Sequence, residues 1–137
     1  MIQALTLDLD DTLWPVLPTL IGAEKTLAQW LAHHAPATAT HLSETTRATI
    51  RDSLIERFPG QAHNMSWLRL ELIREGMQQA GDNPDLAEAA FDAFLSARQQ
   101  VAFYDDVHHV LASWAERYPL VAISNGNADI YRVGLGE

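Results

Sequence analysis

The first thirteen residues, Met-Ile-Gln-Ala-Leu-Thr-Leu-Asp-Leu-Asp-Asp-Thr-Leu, confine the chain to few folds. Ile2 to Leu9 is an almost unbroken apolar run of strand length, with Leu5, Leu7 and Leu9 on one face and Ile2, Ala4 and Thr6 on the other. A strand of that kind needs cover on both faces, as in a parallel sheet flanked by helices. Its end is as restrictive as its body. Asp8, Asp10 and Asp11 crowd carboxylates into a single loop. Charge at that density is stable only beside a cation or a metal ion. The opening therefore predicts an α/β fold with a carboxylate-rich site at the tip of the first strand, where ligands bind in open parallel sheets.

A second short apolar run, Pro119-Leu120-Val121-Ala122-Ile123, ends in Ser124-Asn125-Gly126. The chain between the two runs is helical in pattern. Leu17 to His34 carries Leu20, Ala23, Leu27, Trp30 and Leu31 at helical spacing, and Pro36 with the Ala/Thr stretch after it breaks that helix. Ser43 caps a helix running to about Arg57, which Phe58-Pro59-Gly60 stops. Asn64 or Ser66 caps the next, with Leu68, Leu72, Ile73 and Met77 inward and Gly81 as its left-handed stop. Asn83-Pro84 starts another, and Asp105 caps a last one running to about Arg117. A further helix is expected to begin near Asn127. Two strands separated by helices imply a parallel pair with a right-handed crossover. The intervening stretch is too long for a crossover alone. It predicts an inserted helical cap over 16–100, with strands near 2–9 and 119–123 belonging to a core made of 1–15 and 101–137.

Composition narrows the function. The chain has 137 residues, a net charge of −9 and no cysteine. Clustered Lys and Arg are absent, so no electrostatic footprint for nucleic acid exists. Neither a membrane-length apolar run nor a basic leader is visible, and the lack of cysteine fits a cytoplasmic protein. The expected partner is a small molecule, with neither nucleic acid nor membrane.

If the two strands are neighbours, the loops at 8–12 and 124–126 lie side by side, and together they can process a phosphate ester. Asp8, at the strand tip, is the better-placed nucleophile for phosphorus. Asp10 can protonate the leaving alcohol and then deprotonate the attacking water. Magnesium would neutralise Asp8 and the phosphate together. Ser124 and the amides around Asn125 and Gly126 can hold phosphate oxygens, and Thr12 can brace the loop on the substrate side. Each loop has a plainer meaning alone, Asp8 to Asp11 as a solvated turn and Ser124-Asn125-Gly126 as a helix start. The pairing of the two raises them above it. The His33-His34 and His108-His109 pairs read as surface residues, because adjacent histidines on a helix face different ways. Trp14 lies either at the mouth between cap and core or as a seal of the hinge.

Leu-Thr-Leu-Asp-Leu-Asp-Asp-Thr-Leu resembles the first motif of the haloacid dehalogenase (HAD) superfamily, and Val-Ala-Ile-Ser-Asn-Gly its second, with Ser124 in the phosphate-binding position. The helical insertion resembles the cap of the subfamily I phosphatases. The resemblance implies a partial HAD-like Rossmannoid core and a Mg2+-dependent phosphomonoesterase acting through an aspartyl-phosphate. It implies Asp8 as nucleophile, Asp10 as acid and base, and magnesium bound by the Asp8 carboxylate and the Asp10 carbonyl. Asp10 argues against the 2-haloacid dehalogenase branch. The length of the cap and the opening motif resemble phosphatases of flavin-pathway or nucleotide monophosphates.

The family's third motif, a basic residue, and its fourth, an acidic pair, have no counterpart after Ser124. Lys25, the sole lysine, falls on the first cap helix, and Arg132 follows Ser124 too closely. The expectation is therefore a truncated and catalytically impaired chain, held through its exposed core or sheet edge in a homo-oligomer. The alternatives are a dehalogenase-type hydrolase and a non-catalytic assembly module.

Overall fold

The computed structural model describes residues 1–136. Strand β1 is Leu5–Leu7, and helices follow at α1 Val16–His34, α2 Pro36–His41, α3 Glu44–Arg57, α4 Met65–Ala80, α5 Ala87–Arg98 and α6 Val107–Ala115, before strand β2 at Leu120–Ala122. Two compact units result. One comprises Met1–Gly22 and the chain from Ala97 onward, the other Ala23–Ser96, so the division falls inside α1 and inside α5.

In the first unit β1 and β2 run parallel, with Leu5 opposite Leu120, Thr6 opposite Val121 and Leu7 opposite Ala122. The Ile123 amide donates to the Leu7 carbonyl at 2.8 Å, which carries the register to the foot of both polar loops. The strands are shorter than 2–9 and 119–123 because, among the described residues, each has one partner, and a ladder exists only where the two overlap. The pattern predicts cover on both faces, and the structure corrects it. Thr6, Val121 and Ile123 are exposed on one side. The core of this unit lies beyond the strand tips, where Leu9, Leu13, Trp14, Val107 and Val133 are buried and Phe103, Leu111 and Ile130 pack on them.

Two expected features of this unit differ. Helix α6 has Asp106 at its N-cap with no side-chain bond, so Asp105 does not cap it. The helix expected near Asn127 reduces to one turn. Val133 donates to the Asp129 carbonyl at 2.9 Å, and Gly134, at φ 90°, ends it.

In the second unit the capping residues act as the sequence suggests. Ser43 Oγ accepts from the Thr46 amide at 3.2 Å, and Asn64 Oδ1 from the Trp67 amide at 3.1 Å. Gly81 closes α4 at φ 84°, in the region glycine enters without steric cost. Helix α2 is unexpected. Ala35, at φ −146°, breaks α1, but Pro36 then occupies the first position of a new helix, where its missing N–H costs nothing. Its buried Thr38 donates from both amide and hydroxyl to Asp82 Oδ2, each at 2.7 Å. Leu27, Leu31, Ile50, Leu54, Ile73, Met77 and Phe94 form the core. Glu24 accepts from Arg47 and Arg69, and the Arg69 guanidinium lies 3.9 Å from the centre of the Phe94 ring.

Candidate active site

The first loop is shaped by its own backbone. The amides of Thr12 and Leu13 donate to the Leu9 carbonyl at 3.1 and 2.8 Å. Asp11 sits at φ 58°, a left-handed conformation that Asp tolerates better than most residues. Its Oδ1 accepts from the amide of Val16, the first residue of α1, at 2.8 Å. That bond satisfies a donor a helix N-terminus otherwise leaves bare. Asp11 is thus committed to the loop.

Asp10 is the best-held acidic group of the unit. The fully buried Trp14 donates its indole N–H to Asp10 Oδ1 at 2.9 Å, and its ring meets Phe103 edge-on at 5.4 Å between centres. Arg98, 2% exposed, reaches both carboxylate oxygens with Nη2, at 2.6 Å to Oδ1 and 2.5 Å to Oδ2. Asp8, by contrast, is exposed at the strand tip, and its Oδ1 accepts from the Leu9 amide at 2.7 Å.

The second loop comes directly against Asp10. A Cβ on Gly126 would lie 2.5 Å from Asp10 Oδ2 and 3.4 Å from Ser124 Oγ, so only glycine admits this approach. The Gly126 amide donates to Ser124 Oγ at 3.1 Å. Buried Gln99 clamps the same loop, donating to the Asn127 carbonyl at 3.2 Å and accepting from the Asp129 amide at 2.8 Å. Asp10, Ser124 and Gly126 are therefore neighbours, while Thr12 and Asn125 stand exposed in their respective loops.

Sequence reasoning missed Arg98 and Gln99. Arg98 ends an amphipathic helix and Gln99 follows it, and nothing in Ser-Ala-Arg-Gln-Gln separates a buried arginine from a solvated one. Trp14 is fully buried and supports Asp10 through its indole N–H.

The donor set fits magnesium in kind. Asp8 offers a carboxylate and Asp10 a main-chain carbonyl, both hard oxygens, and magnesium keeps several waters in such sites. The Asp10 carboxylate itself is committed to Arg98 and Trp14. Among the described residues no three His, Cys, Asp or Glu side chains converge.

A parallel ladder that ends in an acidic loop and a Ser-Asn-Gly loop, with helices inserted between its strands, is the arrangement of the HAD-like fold, and the chain has that fold. The crystal structure of 2-haloacid dehalogenase from Pseudomonas syringae pv. tomato DC3000 matches 99% of the chain with a TM-score of 0.92 and 37% identity, over 60% of that protein. The 5-amino-6-(5-phospho-D-ribitylamino)uracil phosphatase YigB of Escherichia coli K12 is 31% identical over 140 residues, 99% of this chain and 58% of that protein. The chain thus spans about three fifths of the length of these relatives. No family profile matches it.

Proposed function

We propose that the chain carries the nucleophile and phosphate-binding halves of a magnesium-dependent phosphomonoesterase. The observation that carries this is the packing of Gly126 against Asp10, with Oδ2 lying 2.5 Å from where a Cβ would stand, because it supports a shared pocket for both strand-end loops. Asp8 is the nucleophile. One of its oxygens bonds to phosphorus as the ester P–O bond breaks, and Asp10 gives a proton to the departing alkoxide. Asp10 then takes a proton from water, whose oxygen attacks phosphorus and frees phosphate and the Asp8 carboxylate. Ser124, the loop amides at Asn125 and Gly126, and Thr12 hold the phosphoryl oxygens. Asp8 and the Asp10 carbonyl would hold magnesium, which would supply charge compensation for nucleophile and phosphate. The inserted helices, whose compact part is Ala23–Ser96, form the cap that selects the substrate. A small phosphorylated metabolite is the proposed substrate class, and the name of the Escherichia coli relative makes a phosphorylated ribitylamino-pyrimidine the first compound to try.

The test is hydrolysis of p-nitrophenyl phosphate by the purified chain with magnesium. Weak turnover that EDTA and Asp8→Asn both abolish is expected. Turnover that survives Asp8→Asn overturns the assignment of the nucleophile. A second reading, hydrolytic dehalogenation, is favoured by the name of the Pseudomonas structure. Halide release from 2-chloropropionate with no phosphate release from any ester supports that reading against the first.

A further inference from the structure

We propose that Arg98 binds the phosphoryl group of the substrate through Nη1 while its Nη2 holds the Asp10 carboxylate. The inference rests on the phosphatase reading and adds to it the cation that the two sequence motifs lack.

Three arginines and no lysine belong to the first unit: Arg98, Arg117 and Arg132. Arg117 and Arg132 are exposed. Arg98 is 2% exposed and lies against the carboxylate that Gly126 also approaches. Its position is not adjustable. The next residue, Gln99, is pinned to the second loop at Asn127 and Asp129, while Arg98 itself is pinned to the first loop at Asp10. The two residues thus tie together the loops that flank the proposed phosphate position.

The guanidinium is only half used. Nη2 makes both bonds to Asp10, whereas Nη1 is buried and finds no acceptor among the described residues. A buried donor without an acceptor loses its hydration and recovers nothing, at about 1–3 kcal/mol and more for a charged group. Nη1 shares its carbon with Nη2, so the unsatisfied donor stands beside Asp10. A phosphoryl oxygen is the acceptor that suits it, since the planar arginine fork can serve a carboxylate with one nitrogen and a phosphate with the other. Such a contact brings positive charge to the phosphate without a lysine.

Calorimetric titration of the purified chain with inorganic phosphate in the presence of magnesium tests this directly. The wild type is expected to bind phosphate. Arg98→Met is expected to weaken binding roughly 10–100-fold, the span of one lost hydrogen bond to a charged group. Arg98→Lys is expected to fall between the two, keeping the charge but not the fork. Removing Arg98 also leaves Asp10 unpaired, so the substitution is repeated in an Asp10→Asn background. The loss must persist there. If it vanishes, Arg98 acts only through Asp10 and the proposal fails. It fails equally if the wild type binds no phosphate, or if folded Arg98→Met binds it as tightly as the wild type does. Should Arg98→Met not fold, wild-type affinity in Arg98→Lys overturns it. Asp8→Asn separates the two claims, because it is expected to end turnover while phosphate still binds. Phosphate binding that depends on Arg98 in a chain without turnover sustains the proposal and removes the phosphatase reading alone.

Discussion

Gly126 stands so close to Asp10 that a methyl group on its Cα would lie 2.5 Å from Asp10 Oδ2. The two residues are 116 positions apart in the sequence, at the ends of different strands. Asp10 cannot yield easily, because Arg98 and Trp14 hold its carboxylate from the other side. Gly126→Ala must therefore displace the second loop. We expect a loss of about 1–3 kcal/mol in urea unfolding, the usual cost of overpacking, and a larger proportional loss of phosphatase turnover. Gly60→Ala is the control. Nothing lies within 4 Å of a Cβ there, and stability should stay within about 0.5 kcal/mol of wild type. Equal behaviour of the two variants would show that the loops do not meet at Gly126.

Trp14 contributes to Asp10 in two separable ways, through the indole N–H at 2.9 Å and through a fully buried ring against Phe103. Trp14→Phe keeps most of the ring and removes the donor. The expected cost is about 1.5–3 kcal/mol, as for a hydrogen bond to a charged group. Trp14→Ala also empties the core and should cost about 3–5 kcal/mol. Chemical denaturation of both variants checks the ordering. A phenylalanine variant as stable as the wild type would mean the indole N–H does not support Asp10.

The strands, the parallel pairing, most helix starts and both strand-end loops were legible because each rests on local chemistry. Ser43, Asn64 and Gly81 cap or stop helices by bonds and dihedrals within a few residues. Helix α2 was not legible, because Pro36 both ends one helix and begins the next, and its support comes from Asp82, 44 positions from Thr38. The same holds at the site. Asp8, Asp10, Ser124 and Gly126 announce themselves by spacing behind an apolar run. Arg98 is tied to Asp10 across 88 positions, and no periodicity reports such a contact.

Asp11 combines a left-handed backbone at φ 58° with a helix cap on Val16. Asparagine tolerates that conformation and offers an acceptor oxygen, so Asp11→Asn should lose less than about 0.5 kcal/mol. Alanine has neither property. Asp11→Ala should lose about 2 kcal/mol, from roughly 1 for the cap and 1 or more for the strained backbone. Urea unfolding of the pair reads the difference. Equal losses in both variants would mean that neither the cap nor the dihedral matters.

The Asp82 carboxyl is held below the usual carboxylate range, first by the Thr38 hydroxyl and then by the Thr38 amide, against a smaller opposing effect of burial. Both donors favour the ionised form. A carboxyl whose pKa is lower in the folded state binds fewer protons there than in the unfolded chain. It therefore stabilises the fold at every pH above its ordinary value, about 4, and that stabilisation disappears as pH falls through the lower, folded value. The difference in unfolding free energy between wild type and Asp82→Asn should accordingly be flat from pH 7 to pH 5, roughly, and shrink only below about pH 4. Thr38→Val removes the larger cause, so the Asp82 carboxyl resonance, followed by NMR, should titrate at higher pH in that variant than in wild type. An unchanged titration in Thr38→Val would show that the hydroxyl does not hold Asp82, and would detach α2 from the turn that follows α4.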